Sequence, residues 1–245
     1  MAKMAENWLI LYIEDKMRLA QFVPFVLSPL LFAAGCTYQG DIDKPYTQKA
    51  TWFSYVGGDD IRARCAPGIT EYRFVYNAVY DEQIRSYEIT GKPGEPAEMI
   101  SRVQEGHGLD VTEISLSDPL AQFGWKKSTT NLSVSEMGEL ESLLKASGAG
   151  EPITKGARLR SDDFYWVSAL CYDGAFVYNG WKKTSEGFEH LAFMPFLFKH
   201  DKTDIKVNPF RDVGGKHIAR LHQSKAEKRK HFDLEVGNNG LVTGF

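Results

Sequence analysis

The sequence predicts an α+β domain over residues 49–245, mainly antiparallel sheet in a sandwich or a partly closed barrel, with one helix packed on it. Three observations carry that expectation. Residues 72–80 (YRFVYNAVY) are aromatic and branched on both parities, the pattern of a strand covered on both faces. Residues 164–181 hold Asp173-Gly174 between two apolar runs, a strong hairpin signal because both residue types tolerate positive φ. Residues 133–146 combine helical spacing of apolar residues with a capping-box start, which defines one amphipathic helix.

In chain order, residues 36–48 are polar, with Gly40 and Pro45, and read as a tether. Residues 50–56 (ATWFSYV) are a short strand candidate ended by Gly57-Gly58. In the 72–80 strand Tyr72, Phe74, Tyr76 and Tyr80 share one parity and Val75 and Val79 the other. Residues 83–90 are the next strand, after a turn near Asp81-Glu82, and GKPGEP at 91–96 breaks the pattern. Residues 99–104 and 111–116 are further strand candidates, separated by Gly106 and Gly108. Ser133 and Glu136 have capping-box spacing, Gly148 supplies a stop, and Met137, Leu140, Leu143 and Leu144 form the face laid on the sheet.

The Asp173-Gly174 turn sets a register with Tyr172 opposite Ala175, Cys171 opposite Phe176 and Leu170 opposite Val177. Residues 188–198 are the most apolar stretch of the domain, and Pro195 inside it predicts an edge strand or a break. A last hairpin is expected from residues 232–236 and 241–245 around Gly237-Asn238-Asn239-Gly240.

Chemistry is harder to find. The chain has no G-x-S-x-G elbow, H-E-x-x-H, P-loop or G-x-G-x-x-G motif. The carboxylate pairs Asp59-Asp60 and Asp162-Asp163 read as turn or cap residues. The histidines at 107, 190, 200, 217, 222 and 231 lack metal-site spacing and read as surface groups, so no cofactor or metal is called for. A formal net charge of −3 gives no reason to expect nucleic acid. The basic segment 211–231, with Lys216, Arg220, Lys225, Lys228, Arg229 and Lys230, is a solvated face or a contact for an anionic surface.

Residues 17–36 (MRLAQFVPFVLSPLLFAAGC) join a cationic start, an apolar run and small residues that end at a cysteine. The run is shorter than the roughly 20 apolar residues of a spanning helix, and Pro24 and Pro29 interrupt it. This stretch resembles a bacterial lipoprotein signal, with Ala33-Ala34-Gly35-Cys36 as its lipobox and Ala33 where leucine is usual. Glu6, Glu14 and Asp15 do not suit a signal, and a start at Met17 with Arg18 as its positive end does.

The resemblance implies that residues 1–35 are removed and Cys36 is acylated. Multiple acyl chains hold a protein firmly on a membrane. Thr37, where inner-membrane retention uses aspartate, implies the outer membrane facing the periplasm. That compartment permits a bridge between Cys65 and Cys171, the alternative being two separate buried thiols. The expected function is a non-enzymatic envelope lipoprotein that binds or scaffolds an envelope protein or anionic envelope polymer. The alternative is a lipid-anchored periplasmic hydrolase assembled from distant residues, such as Asp162 or Asp163 with a histidine.

Overall fold

In a strand, successive side chains face opposite ways, so a strand apolar on both parities needs cover on both sides. The computed structural model, which describes residues 37–106, 124–185, 187–213 and 231–244, supplies that cover. Strand β1 (Thr70–Ala78) lies between β2 (Gln83–Gly91) and β6 (Phe164–Tyr172). With β3 (Ala97–Glu105), β4 (Lys126–Leu132) and β7 (Ala175–Lys182) they form a six-stranded antiparallel sheet in the order β4-β3-β2-β1-β6-β7. Among the described residues the sheet ends at β4 and β7 and does not close into a barrel. A small sheet, β5 (Arg158–Arg160), β8 (Asp233–Val236) and β9 (Leu241–Gly244), accompanies it in the order β5-β8-β9.

One face of the large sheet presents Tyr72, Phe74, Tyr76, Tyr87 and Trp166 to helices α3 (Val134–Ala146) and α4 (Phe193–His200). The opposite face presents Val75, Ile84, Val167 and Cys171 to α1 (Pro45–Gly57), α2 (Asp59–Arg64) and the small sheet. We call these the α3/α4 face and the α1/α2 face. Among the described residues no helix is long and apolar enough to cross a membrane.

Local chemistry produces several elements as expected. Glu136 Oε2 accepts the Ser133 backbone N–H at 2.8 Å, and Ser133 Oγ accepts the Glu136 N–H at 3.3 Å, closing the capping box of α3. Met137, Leu140 and Leu144 are its buried face. Asp173 and Gly174 have φ of 46° and 82°, and the hairpin pairs Tyr172 with Ala175, Cys171 with Phe176 and Leu170 with Val177. β8 and β9 form the C-terminal hairpin.

Other elements differ from expectation. Residues 50–56 are helical, within α1, and not a strand. Pro45 opens that helix at a position where its missing N–H costs nothing. Gln48, Thr51, Trp52, Tyr55 and Val56 are its buried residues, a helical spacing that a window beginning at residue 50 hides. Gly58 ends α1 at φ 67°, and a Cβ there would lie 2.3 Å from the Ala169 Cβ, so only glycine lets the α1–α2 junction sit on β6. The segment 36–48 is not a free tether over its described part, because Tyr38 and Ile42 are buried and α1 begins at Pro45.

Tyr80 leaves the parity of Tyr72. Val79 has φ 64°, which turns the chain so that Val79 joins the α3/α4 core and Tyr80 the opposite one. Residues 188–198 are a short 3₁₀ turn and most of α4, where one packed helix had been expected in the whole domain. Pro195 falls in the first turn of α4, whose N–H groups lack intrahelical partners in any case. β4, a polar edge strand of sequence KKSTTNL, has no apolar alternation to announce it. The 111–116 strand candidate lies outside the described residues.

Candidate functional site

A cleft of about 350 Å³ opens between α3 and the end of the β6–β7 hairpin on the α3/α4 face. The antiparallel register builds its floor: Tyr72 of β1 is opposite Leu170 of β6, which is opposite Val177 of β7. Tyr172 and Ala175, paired beside the turn, form one lip. Glu141, Leu144 and Lys145 form the other, being three and four residues apart and therefore neighbours on one side of α3. The turn is held in place because Asp173 Oδ1 accepts the Gly68 N–H at 3.0 Å and Ile69 O accepts the Asp173 N–H at 3.1 Å.

Three polar groups meet this apolar space. Tyr72 is only 2 % exposed, and its hydroxyl, without a hydrogen-bond partner among the described residues, is reached by solvent from the cleft. Burial first, then the Glu141 carboxylate and then Tyr172, push the Tyr72 phenol well above its ordinary value. Burial likewise raises the Glu141 carboxyl. Neither Glu141 nor Lys145 forms an ion pair among the described residues. A largely apolar cleft with a few convergent polar groups is the usual form of a small-molecule site.

The buried charged side chains elsewhere, Asp60, Arg73, Arg85, Arg102 and Asp162, are engaged in ion pairs. On the α1/α2 face Arg73, 3 % exposed, donates to both Asp60 oxygens at 2.7 and 2.8 Å and to Glu88 Oε1 at 3.0 Å. Asp60 also takes Arg64 at 3.0 Å, Glu88 takes Arg102 at 2.5 Å, and Arg102 reaches Asp43 at 2.6 Å. Burial pushes the Asp60 carboxyl up, but the Arg73 and then the Arg64 guanidinium outweigh it and hold it below the ordinary value. The Tyr55 ring lies 4.0 Å beneath the Arg73 guanidinium. Burial, then Glu88, raise Tyr38 beside this network to about 12. A polar hollow of about 240 Å³ borders it.

The residues singled out from sequence fall as follows. Cys65 and Cys171 are bridged, with Cα atoms 5.5 Å apart. Cys36 lies outside the described residues, as do Lys216, Arg220, Lys225, Lys228, Arg229 and Lys230. Arg211, at the start of the basic segment, binds Glu82 and donates to Asn208 Oδ1 at 3.1 Å. Asp60 is not a water-facing turn residue; it is buried because Arg73 compensates its charge. Arg160 takes the Asp162 carboxylate at 2.7 Å, and Asp163 Oδ1 accepts the Phe164 N–H at 2.8 Å.

His200 is buried and not a surface group: Nδ1 lies 2.9 Å from Phe196 O and Nε2 3.1 Å from Glu136 Oε1, so α4 is tied to α3. His190 is exposed, and His107, His217 and His222 lie outside the described residues. Among the described residues no three His, Cys, Asp or Glu side chains are grouped to hold a metal ion.

Sequence reasoning did not bring together Tyr72, Tyr172, Glu141 and Lys145, because strands and helix distant along the chain supply them. It also passed over Arg73 and Arg85. Their signal was present: each is a cation at an interior position of a strand covered on both faces, where a charge needs a partner. Comparison with family models, curated proteins and solved structures finds no match for the chain.

Proposed function

We propose that this chain is an envelope lipoprotein whose folded domain binds or scaffolds another envelope component without catalysing a reaction. The observation that carries the reading is Ala33-Ala34-Gly35-Cys36 at the end of a short apolar run. Removal of residues 1–35 and acylation of Cys36 would anchor the domain in the outer membrane, facing the periplasm. The Cys65–Cys171 bridge supports this address, because disulfides persist in oxidising compartments. The cleft beside Tyr72 supports a binding role. Lys216, Arg220, Lys225, Lys228, Arg229 and Lys230 would meet anionic head groups or polymers, each adding about 1 kcal/mol near such a surface.

Growth with a labelled fatty acid tests the anchor directly. The native chain is expected to carry label and to be found with membranes, and Cys36→Ser to lose both. Label that persists in Cys36→Ser, or native protein recovered unlabelled from the cytosol with residues 1–35 intact, overturns the reading.

A further inference from the structure

The cleft between α3 and the β6–β7 hairpin holds an imbalance that a ligand would correct. Its floor is Leu170, Val177 and the ring of Tyr72, and the half-exposed ring of Tyr172 stands at its lip. Into this space face the Tyr72 hydroxyl, which is reached by solvent from the cleft, and the partly buried carboxylate of Glu141, which has no cationic partner among the described residues. A partly buried carboxylate without a cation costs free energy. Both groups, and both phenol rings, are satisfied by the same kind of atom. An ammonium nitrogen donates to a hydroxyl and to a carboxylate, and is attracted to the negative faces of aromatic rings.

We propose that this cleft binds an apolar organic amine, its hydrocarbon body on Leu170 and Val177 and its ammonium between Glu141, Tyr72 and Tyr172. Charge complementarity with Glu141 selects the amine over an acid of the same shape. Lys145 is exposed at the helix end of the cleft, and its long stem lets its own ammonium stay in water away from the ligand. The proposal rests on the reading of the domain as a binder and is independent of acylation at Cys36.

Three probes of one shape and different charge test it: phenylpropylammonium, phenylpropanol and phenylpropionate, titrated into the full-length protein and followed by calorimetry and ligand-detected NMR. The amine is expected to bind about tenfold more tightly than the alcohol and tighter still than the acid. Glu141→Gln is expected to erase the preference for the amine over the alcohol. Ala175→Trp, an exposed lip position, is expected to fill the mouth and abolish binding of all three with the fold intact by circular dichroism. Equal binding of amine, alcohol and acid, or a preference that survives in Glu141→Gln, overturns the ligand class but leaves the cleft as a binding site. Binding of none of the three, or binding unaffected by Ala175→Trp, overturns the proposal together with the cleft's role as the binding site.

Discussion

The two faces of the large sheet each bury an arginine, and they satisfy it in different ways. Arg73, on the α1/α2 face, belongs to an alternating ladder: Arg64 and Arg73 share Asp60, Arg73 and Arg102 share Glu88, and Arg102 and Lys127 share Asp43. Arg85, on the α3/α4 face, is 0 % exposed and among the described residues has one acid, Asp201, supported by neutral acceptors. Gln83 Oε1 accepts its Nε–H at 3.0 Å and Ile205 O accepts from Nη2 at 2.6 Å. The Tyr87 hydroxyl and the Thr203 hydroxyl and N–H also donate to Asp201. Gln83 further holds Asn208, so Arg85 and its neighbours tie the chain beyond α4 to the end of the sheet.

The difference teaches that redundancy and isolation are alternative solutions to a buried charge. In the ladder each acid keeps a second cation if Arg73 is lost. At Arg85, Asp201 has no second cation among the described residues. The α1/α2 face also has a covalent tie, since Cys65 follows α2 directly and Cys171 lies on β6. On the α3/α4 face α4 is held by an aromatic core instead: Trp166 meets the rings of Tyr76 and Tyr87 of the sheet and of Phe193 and Phe198 of α4 at centroid separations of 4.8 to 6.2 Å.

The largest effect should come from the covalent tie. Cys65→Ser with Cys171→Ser opens a bridge between residues 106 apart; the chain-entropy model puts the cost of losing such a loop at about 4–5 kcal/mol. Denaturant unfolding would measure it, and hydrogen exchange should show amides of α1 and α2 losing protection before those of α3 and α4. The reverse order would break the comparison.

Next comes the contrast between the arginines. Arg85→Met leaves Asp201 buried without a cation and should cost about 3–5 kcal/mol. Arg73→Met leaves Asp60 with Arg64 and Glu88 with Arg102, and should cost roughly half as much. Equal losses in paired unfolding curves would remove the distinction between a ladder and an isolated pair.

The smallest effect lies at the helix cap. Ser133→Ala should cost about 1 kcal/mol. The Ser133 backbone N–H first, then its hydroxyl, then His200, hold the Glu136 carboxyl down at about 2. A carboxyl lowered in the folded state stabilises fully above its unfolded value of about 4.3 and loses that contribution as pH falls toward 2. Asp60, also lowered, follows the same sign on the other face. Acid titration of the native protein and Ser133→Ala should therefore converge at low pH, and a constant gap between the two curves would refute the cap's share in acid stability.

Some of this was readable in the residues before any contact was known. The Asp173-Gly174 hairpin needs two positive-φ residues in a two-residue turn, and those two neighbours set a register that six further residues follow. The α3 cap needs only Ser133 and Glu136. Residues 50–56 misled because Trp52, Phe53, Tyr55 and Val56 favour strands by propensity, while Pro45, Gly58 and the close approach to Ala169 impose a helix. Residues 188–198 misled because Pro195 argues against a strand interior but is harmless in a first helical turn.

By itself, then, the amino-acid sequence determined whatever depends on residues within a turn of one another: the strand alternation of β1, the hairpin register, the capping box and the cysteine-terminated apolar run at residues 17–36. Only the tertiary structure decided that Asp60 and Arg73 compensate each other, that Asp201 neutralises Arg85, and that Tyr72, Glu141 and Tyr172 share one cleft. The physical reason is range. Torsional preference and neighbouring hydrogen bonds act along a few residues of chain, whereas desolvation of a charge and the shape of a cavity are properties of whichever distant segments the packed sheet brings together.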